Sequence, residues 1–169
     1  YIGTLNDVDS ATRSVLALKY RAEFDLLTDL YNMHTFYSQA AQAVHAYPER
    51  RYSIVRMDID RFKVINDLYG LKEGDKLLIA IADLLREKMA GTHSVYGRLG
   101  GDVFCLCVDY SRERILALIK ELTDRLADYP LPYKVVPSFG ICEVDNIDTP
   151  ITCSATGPTS PSRRSRGIT

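Results

Sequence analysis

Two acidic centres supply most of the chemistry this chain can do. Asp58-Ile59-Asp60 closes the run Tyr52-Ser53-Ile54-Val55-Arg56-Met57, and Asp102 stands at the tip of Arg98-Leu99-Gly100-Gly101-Asp102-Val103-Phe104. The second stretch reads as a tight two-glycine turn between short apolar runs. Mg²⁺ takes oxygen ligands in octahedral geometry and keeps several waters, so one or two carboxylates plus substrate phosphates complete a site. Asp58 at a strand end and Asp102 in an adjacent hairpin can converge on one such cation. Gly100 and Gly101 let the backbone approach a phosphate where a Cβ would collide. The plainer reading is that these acids cap strand ends and turns, as Asp often does; spacing alone leaves both open. Val103 stands where a second carboxylate would help the chemistry most.

The elements that must position these residues follow from apolar periodicity. Residues 1–9 read as the last strand of an upstream domain. Ser10 is the expected N-cap of a linker helix over 11–24. In it Ala11, Val15, Leu18 and Ala22 fall at alternating four- and three-residue steps, a short coiled-coil-like stripe. That stripe either packs on its own domain or pairs with its twin in a dimer, and fewer than three heptads leave both open. The main domain spans 25–150. It opens with a turn at 25–29 and a helix over 33–46, closed by Tyr47-Pro48. A first strand follows over 52–58, then a helix over 60–69 and a break from Gly70 to Gly74. A long helix over 75–89 carries the stripe Leu77, Leu78, Ile81, Leu84, Leu85 and Met89. Strands over 95–99 and 103–110 form the hairpin. Ser111 caps a helix to about 128, and a further strand spans 135–144. This β-α-α-β-β-α-β order predicts a mostly antiparallel sheet with helices on one face, an α+β, palm-like architecture. Residues 151–169 are rich in Ser, Thr, Pro and Arg with no apolar period, an atypical tail whose composition predicts disorder.

Composition narrows the classes. With 169 residues, 46% hydrophobic and 25% charged, the chain fits one domain with appendages. A formal net charge of −1 gives no basic field that would point to nucleic acid. No apolar run approaches the roughly 20 residues of a membrane span, so the expected location is cytoplasmic, with a membrane anchor elsewhere in a parent protein left open. Cys105 and Cys107, spaced i, i+2 on one strand face, suit neither a zinc site nor a local disulfide and read as small buried apolar residues. His34, His45 and His93 form no ligand cluster.

Several ordered motifs share one register. Asp58-Ile59-Asp60-Arg61-Phe62-Lys63-Val64-Ile65-Asn66-Asp67, then Gly70, Gly74-Asp75 and Gly100-Gly101-Asp102-Val103-Phe104 together resemble the GGDEF family, the diguanylate cyclases. Asp25-Leu26-Leu27-Thr28-Asp29-Leu30-Tyr31-Asn32 is similar to that family's opening motif, with Asp29 where glycine is usual. Ser138-Phe139-Gly140-Ile141 is similar to its late core strand. The resemblance covers 25–148. It implies a nucleotide-cyclase/ferredoxin-like palm and Mg²⁺ (or Mn²⁺) held by Asp58, the Ile59 carbonyl and Asp102. It also implies a guanine edge read by Asn66 and Asp75, and a phosphate turn containing Phe62 and Lys63. Members bind one GTP per subunit, and two subunits face each other to make cyclic di-GMP, so a homodimer is implied. The 3′-hydroxyl of each GTP attacks the partner's α-phosphate, with metal stabilising the displaced pyrophosphate. The family often pairs such domains with a cyclic di-GMP phosphodiesterase module, and residues 1–9 with the linker helix resemble the exit of a PAS-type sensory domain.

Four departures from the family pattern bear on activity. Val103 replaces the glutamate beside the metal, and a branched apolar side chain neither binds a cation nor accepts a proton; such losses typically cost a few kcal/mol of barrier. Leu71 replaces the usual histidine after Gly70. Gly91-Thr92-His93-Ser94 occupies the place of an inhibitory Arg-x-x-Asp motif, and the family's closing helix is missing after Asp148. The expected function is therefore a degenerate GGDEF domain that binds GTP and regulates a neighbour. The alternatives are an active diguanylate cyclase, with Asp102 and water replacing the glutamate, and a structural dimerisation module without nucleotide.

Overall fold

The computed structural model describes residues 3–144, with side chains from residue 11 onward. In chain order the elements are α1 (Gly3–Glu23), α2 (Met33–Ala46), β1 (Ser53–Ile59), α3 (Phe62–Tyr69), α4 (Leu71–Met89), β2 (Val95–Gly100), β3 (Val103–Val108), α5 (Arg112–Ala127) and β4 (Pro137–Glu143). The residues expected to form a tail, 151–169, and the place of the closing helix lie outside the described residues.

The sheet follows from the composition of its inner strands. β3 is a continuous apolar run and β1 sets Ile54 and Val55 side by side on opposite faces, so both faces need cover. The strand order β2-β3-β1-β4 puts both strands in the interior of the sheet, and every pairing is antiparallel. Val55 and Met57 of β1 with Phe104, Leu106 and Val108 of β3 face a core supplied by α4 and α5, through Leu77, Ile81, Leu85, Ile115, Leu118 and Leu122. Ile54, Cys105 and Cys107 face the opposite way, against Phe36, Ala40 and Val44 of α2. Helices therefore lie on both faces, where the sequence suggested one. The alternation along β1 carried that information, since a strand with one wet face would show polar residues at Ile54. The two cysteines are small buried residues of this second core, as expected.

Helix boundaries differ from expectation in two places. α1 begins at Gly3, so residues 3–9 are helical and not a strand. No proline interrupts the stretch, and Ser10 sits inside the helix: a capping residue marks a start only where the chain turns. α4 begins at Leu71 directly after Gly70, so the break is one residue and Gly74 lies inside the helix. Gly70 alone makes the corner because its φ of +87° is open to glycine at no cost. Ser111 caps α5 as anticipated, accepting from the Arg114 amide at 3.3 Å, and Asn32, not anticipated as a cap, accepts from the Thr35 amide at 3.0 Å ahead of α2.

Candidate functional site

The C-terminal end of β1 and the turn between β2 and β3 meet because those strands pair. Met57 is opposite Phe104, so the next step along each strand sets Asp58 beside Val103. Directly opposed residues share a sheet face with Cβ atoms about 4.5–5.5 Å apart, which puts the Asp58 carboxylate and the Val103 isopropyl group side by side on the α2 face. Asp102, one residue earlier, reaches across: its Oδ2 accepts a hydrogen bond from the Ile59 amide at 3.0 Å. The structure thus brings Asp58, Ile59 and Asp102 to one spot. Ile59 has a buried side chain and offers only its main chain there. The Asp58 side chain is about a third exposed and faces the Arg56 guanidinium, Nε to Oδ2, at 3.7 Å, longer than a hydrogen bond.

The turn itself needs its glycines. Gly100 and Gly101 have φ of +129° and +55°, with open space where their Cβ atoms would stand. A β-bulge between Arg98 and Gly100 tilts the tip. Arg98 then fastens it, donating from Nε and Nη2 to the Gly101 carbonyl at 2.9 and 2.6 Å and from Nη1 to Asp25 Oδ1 at 2.9 Å. Asp25 also accepts from the Thr28 hydroxyl and amide. Burial would raise the Asp25 carboxyl, but the Thr28 and Arg98 hydrogen bonds and the guanidinium charge outweigh it and hold it below its ordinary value. In the sequence Arg98 and Asp25 stand only as parts of motifs, with no role legible for either. They lie 73 positions apart, and nothing local links them.

The second half of the site is the α3–α4 hairpin. α3 starts two residues after β1, through Asp60 and Arg61. Arg61 adopts a left-handed conformation at φ +56°, and the Asp60 amide donates to the Val136 carbonyl at 2.8 Å. Ser138 also hydrogen-bonds Asp60. Phe62 and Lys63 therefore open α3 right beside the Asp58 end of the strand, Phe62 half-buried and Lys63 exposed. Asn66 lies one turn further, with Oδ1 buried and without a hydrogen-bond partner. Asp75 is exposed on α4, next to the Gly74 against which Asn66 rests. An orphaned buried acceptor carries a cost in a structural amide, so Asn66 is a group waiting for a function.

Two carboxylates and a main-chain carbonyl are hard oxygen donors, the kind that Mg²⁺ or Mn²⁺ prefers. Among the described residues no three His, Cys, Asp or Glu side chains gather as a metal group. Of the departures, Asp29 has a plain structural account. Its φ is +55°, a conformation glycine adopts freely and Asp tolerates, and its carboxylate accepts from the Tyr20 hydroxyl of α1 at 2.6 Å.

Known proteins share this sequence pattern and this fold. The family model described as the diguanylate cyclase GGDEF domain matches residues 22–152. The chain is 36% identical to the diguanylate cyclase DgcM of Escherichia coli K12 over 104 residues, which is 60% of this chain and 25% of that protein. A 19.3 kDa protein of Streptomyces ambofaciens is 32% identical over 130 residues, covering 76% of this chain and 69% of that one. The chain spans about a quarter to a third of the length of several curated relatives it matches, DgcM among them. Among solved structures, the coiled coil and GGDEF domain of DgcB from Caulobacter crescentus superposes with a TM-score of 0.71 at 20% identity, covering 83% of this chain and 79% of that one. A sensory box/GGDEF family protein from the same organism gives 0.63 at 28% identity, covering 73% and 84%.

Proposed function

The chain belongs to the GGDEF family, the diguanylate cyclase domain of cyclic di-GMP signalling proteins, and from that premise we propose that it is a degenerate member. In this reading it binds GTP with a divalent cation and passes its state to a neighbouring domain without turning the nucleotide over. The observation that carries this is the β1–β3 register, in which Met57 opposes Phe104 and the next position along each strand sets Asp58 beside Val103. The family's glutamate would put a second carboxylate beside Asp58 on that face, and here the position holds an apolar side chain with no lone pair. Asp58, Asn66, Asp75 and Asp102, which the family resemblance assigns to binding, are all present.

Each remaining residue has a defined task. Asp58, the Ile59 carbonyl and Asp102 would hold Mg²⁺ or Mn²⁺, which when bound neutralises phosphate charge and polarises a phosphoryl oxygen. The Ile59 amide orients Asp102. Gly100 and Gly101 clear space for a phosphate, and Lys63 at the start of α3 supplies a mobile positive charge to it. Asp75 accepts from the two N–H donors on the guanine edge, and the Asn66 amide completes base recognition. Proton removal from a ribose hydroxyl has no acceptor at position 103, so the complex stops at binding.

α1 supports the dimer that this family mechanism implies. Ala11, Val15, Leu18 and Ala22 are all exposed, Val15 at 64% and Leu18 at 66%. The stripe does not pack on its own domain, and a twin helix from a second copy is the occupant a heptad pattern fits. PAS-type and phosphodiesterase-type neighbours in a parent chain are part of the same proposal.

The test is a calorimetric titration with GTP, with and without Mg²⁺, alongside chromatography for cyclic di-GMP. Mg²⁺-dependent binding without product is expected, and Asp102→Ala should weaken the Mg²⁺-dependent part about tenfold or more, 1.4 kcal/mol per decade. Accumulation of cyclic di-GMP would establish the active-cyclase reading instead. No heat at millimolar GTP would leave a structural dimerisation module.

A further inference from the structure

We propose that Gly74 is a positioning residue for base selection, acting through Asn66. Gly74 is buried in the second turn of α4, where glycine weakens a helix and no left-handed conformation requires it. What requires it is space. A Cβ at position 74 would stand 1.9 Å from Asn66 Oδ1, 3.0 Å from Asn66 Cγ and 3.2 Å from Phe62 Cζ. The first distance is an overlap that a Cβ could enter only by turning the Asn66 amide out of its present place.

The missing side chain therefore creates the niche into which the Asn66 oxygen is set, where it is buried with no donor to satisfy it. Seating the oxygen there fixes the plane of the amide, and in this proposal leaves Nδ2 as the donor to the base. Phe62, four residues before Asn66 on the same face of α3, closes the niche from the other side. Asp75 is the next residue after Gly74, so one helical position sets the spacing between an amide donor and a carboxylate acceptor. A purine edge with both an acceptor and adjacent N–H donors, as in guanine, matches that pair. The edge of adenine, with its amino group reversed, does not.

This inference rests on the nucleotide reading above, and the experiment separates the two. GTP and ATP affinities are measured by calorimetry for the parent chain, Gly74→Ala, Asn66→Ala and the double variant. Gly74→Ala is expected to lose roughly tenfold in GTP affinity while ATP affinity stays unchanged, and to add nothing to the loss in the Asn66→Ala background. Equal losses for both nucleotides, or losses that add in the double variant, overturn the proposal while leaving nucleotide binding intact. No GTP binding by the parent chain overturns the nucleotide reading and this inference with it. If Gly74→Ala fails to fold, the double variant decides: folding restored by removing the Asn66 side chain supports the niche, and no restoration refutes it.

Discussion

In the degenerate reading proposed above, Val103 is the side chain on which activity turns. It sits beside Asp58 on one face of two inner strands, half-exposed at the edge of the second core, so a longer polar side chain has room to extend toward solvent. Val103→Glu should cost little stability and bring cyclic di-GMP synthesis from GTP and Mg²⁺ up by at least about a hundredfold, the usual reach of a restored general base. Chromatography of the reaction reads this. A variant that binds GTP normally and stays silent would place the block elsewhere, at Leu71 or beyond the described residues. The cysteines give a second prediction at this scale. Burial, with the Asp109 charge as a smaller cause, pushes the Cys107 thiol up to about 12, so its thiolate is scarce at neutral pH. Alkylation at pH 7.5 followed by mass spectrometry should label the partly exposed Cys142 well before Cys105 or Cys107.

Among the elements, the β2–β3 hairpin depends on a strut. Arg98 holds the turn through the Gly101 carbonyl and the 25–29 loop through Asp25, with side-chain exposures of only 11% and 21% for the pair. The same loop is tied to α1. Tyr20, Phe24 and Tyr31 stack at centroid distances of 4.8 and 5.4 Å, and the Tyr31 carbonyl accepts from the Arg98 amide at 2.9 Å. A continuous set of contacts therefore runs from the linker helix to the hairpin beside Asp102. Arg98→Ala should destabilise the domain by about 2 kcal/mol, the worth of charge-assisted hydrogen bonds in a half-buried place, and speed amide exchange in 97–104 most. Acid should act through Asp25. Its carboxyl is held below its unfolded value, so its contribution is complete above about pH 4 and drains away as pH falls through the lowered folded value. Thermal melts from pH 6 to 2 should show that acid limb flattened in Asp25→Asn, at a lower plateau.

At the scale of the molecule, the domain core is complete on the α4–α5 face, while α1 projects an apolar stripe that this chain does not cover. In the proposed dimer, association through that stripe would let the helices set the spacing between two nucleotide-bearing hairpins. Val15→Asp with Leu18→Asp should convert a dimer to monomer in analytical ultracentrifugation and leave the domain's melting temperature unchanged, since neither side chain touches the core. Retained dimerisation would move the interface to the domain itself.

Much of this was legible in the chain. Periodicity alone gave the span of α2, the stripe of α4 and the Gly-Gly hairpin, because each rests on spacing within a few residues. Motif order placed Asp58, Asn66, Asp75 and Asp102 in one family register. Local signals failed where the deciding partner is remote. Ser10 looked like a helix start, yet the helix passes through it. Gly74 looked like a break, yet it is a niche for Asn66 eight residues back. Arg98 and Asp25 showed no sign of their pairing, and α2 was not expected on the far side of the sheet. The chain thus determined which groups are present and which is lost, because residue type is chemistry. Only the folded sheet decided which of them stand together, because strand pairing and helix packing join positions whose separation along the backbone carries no record of it.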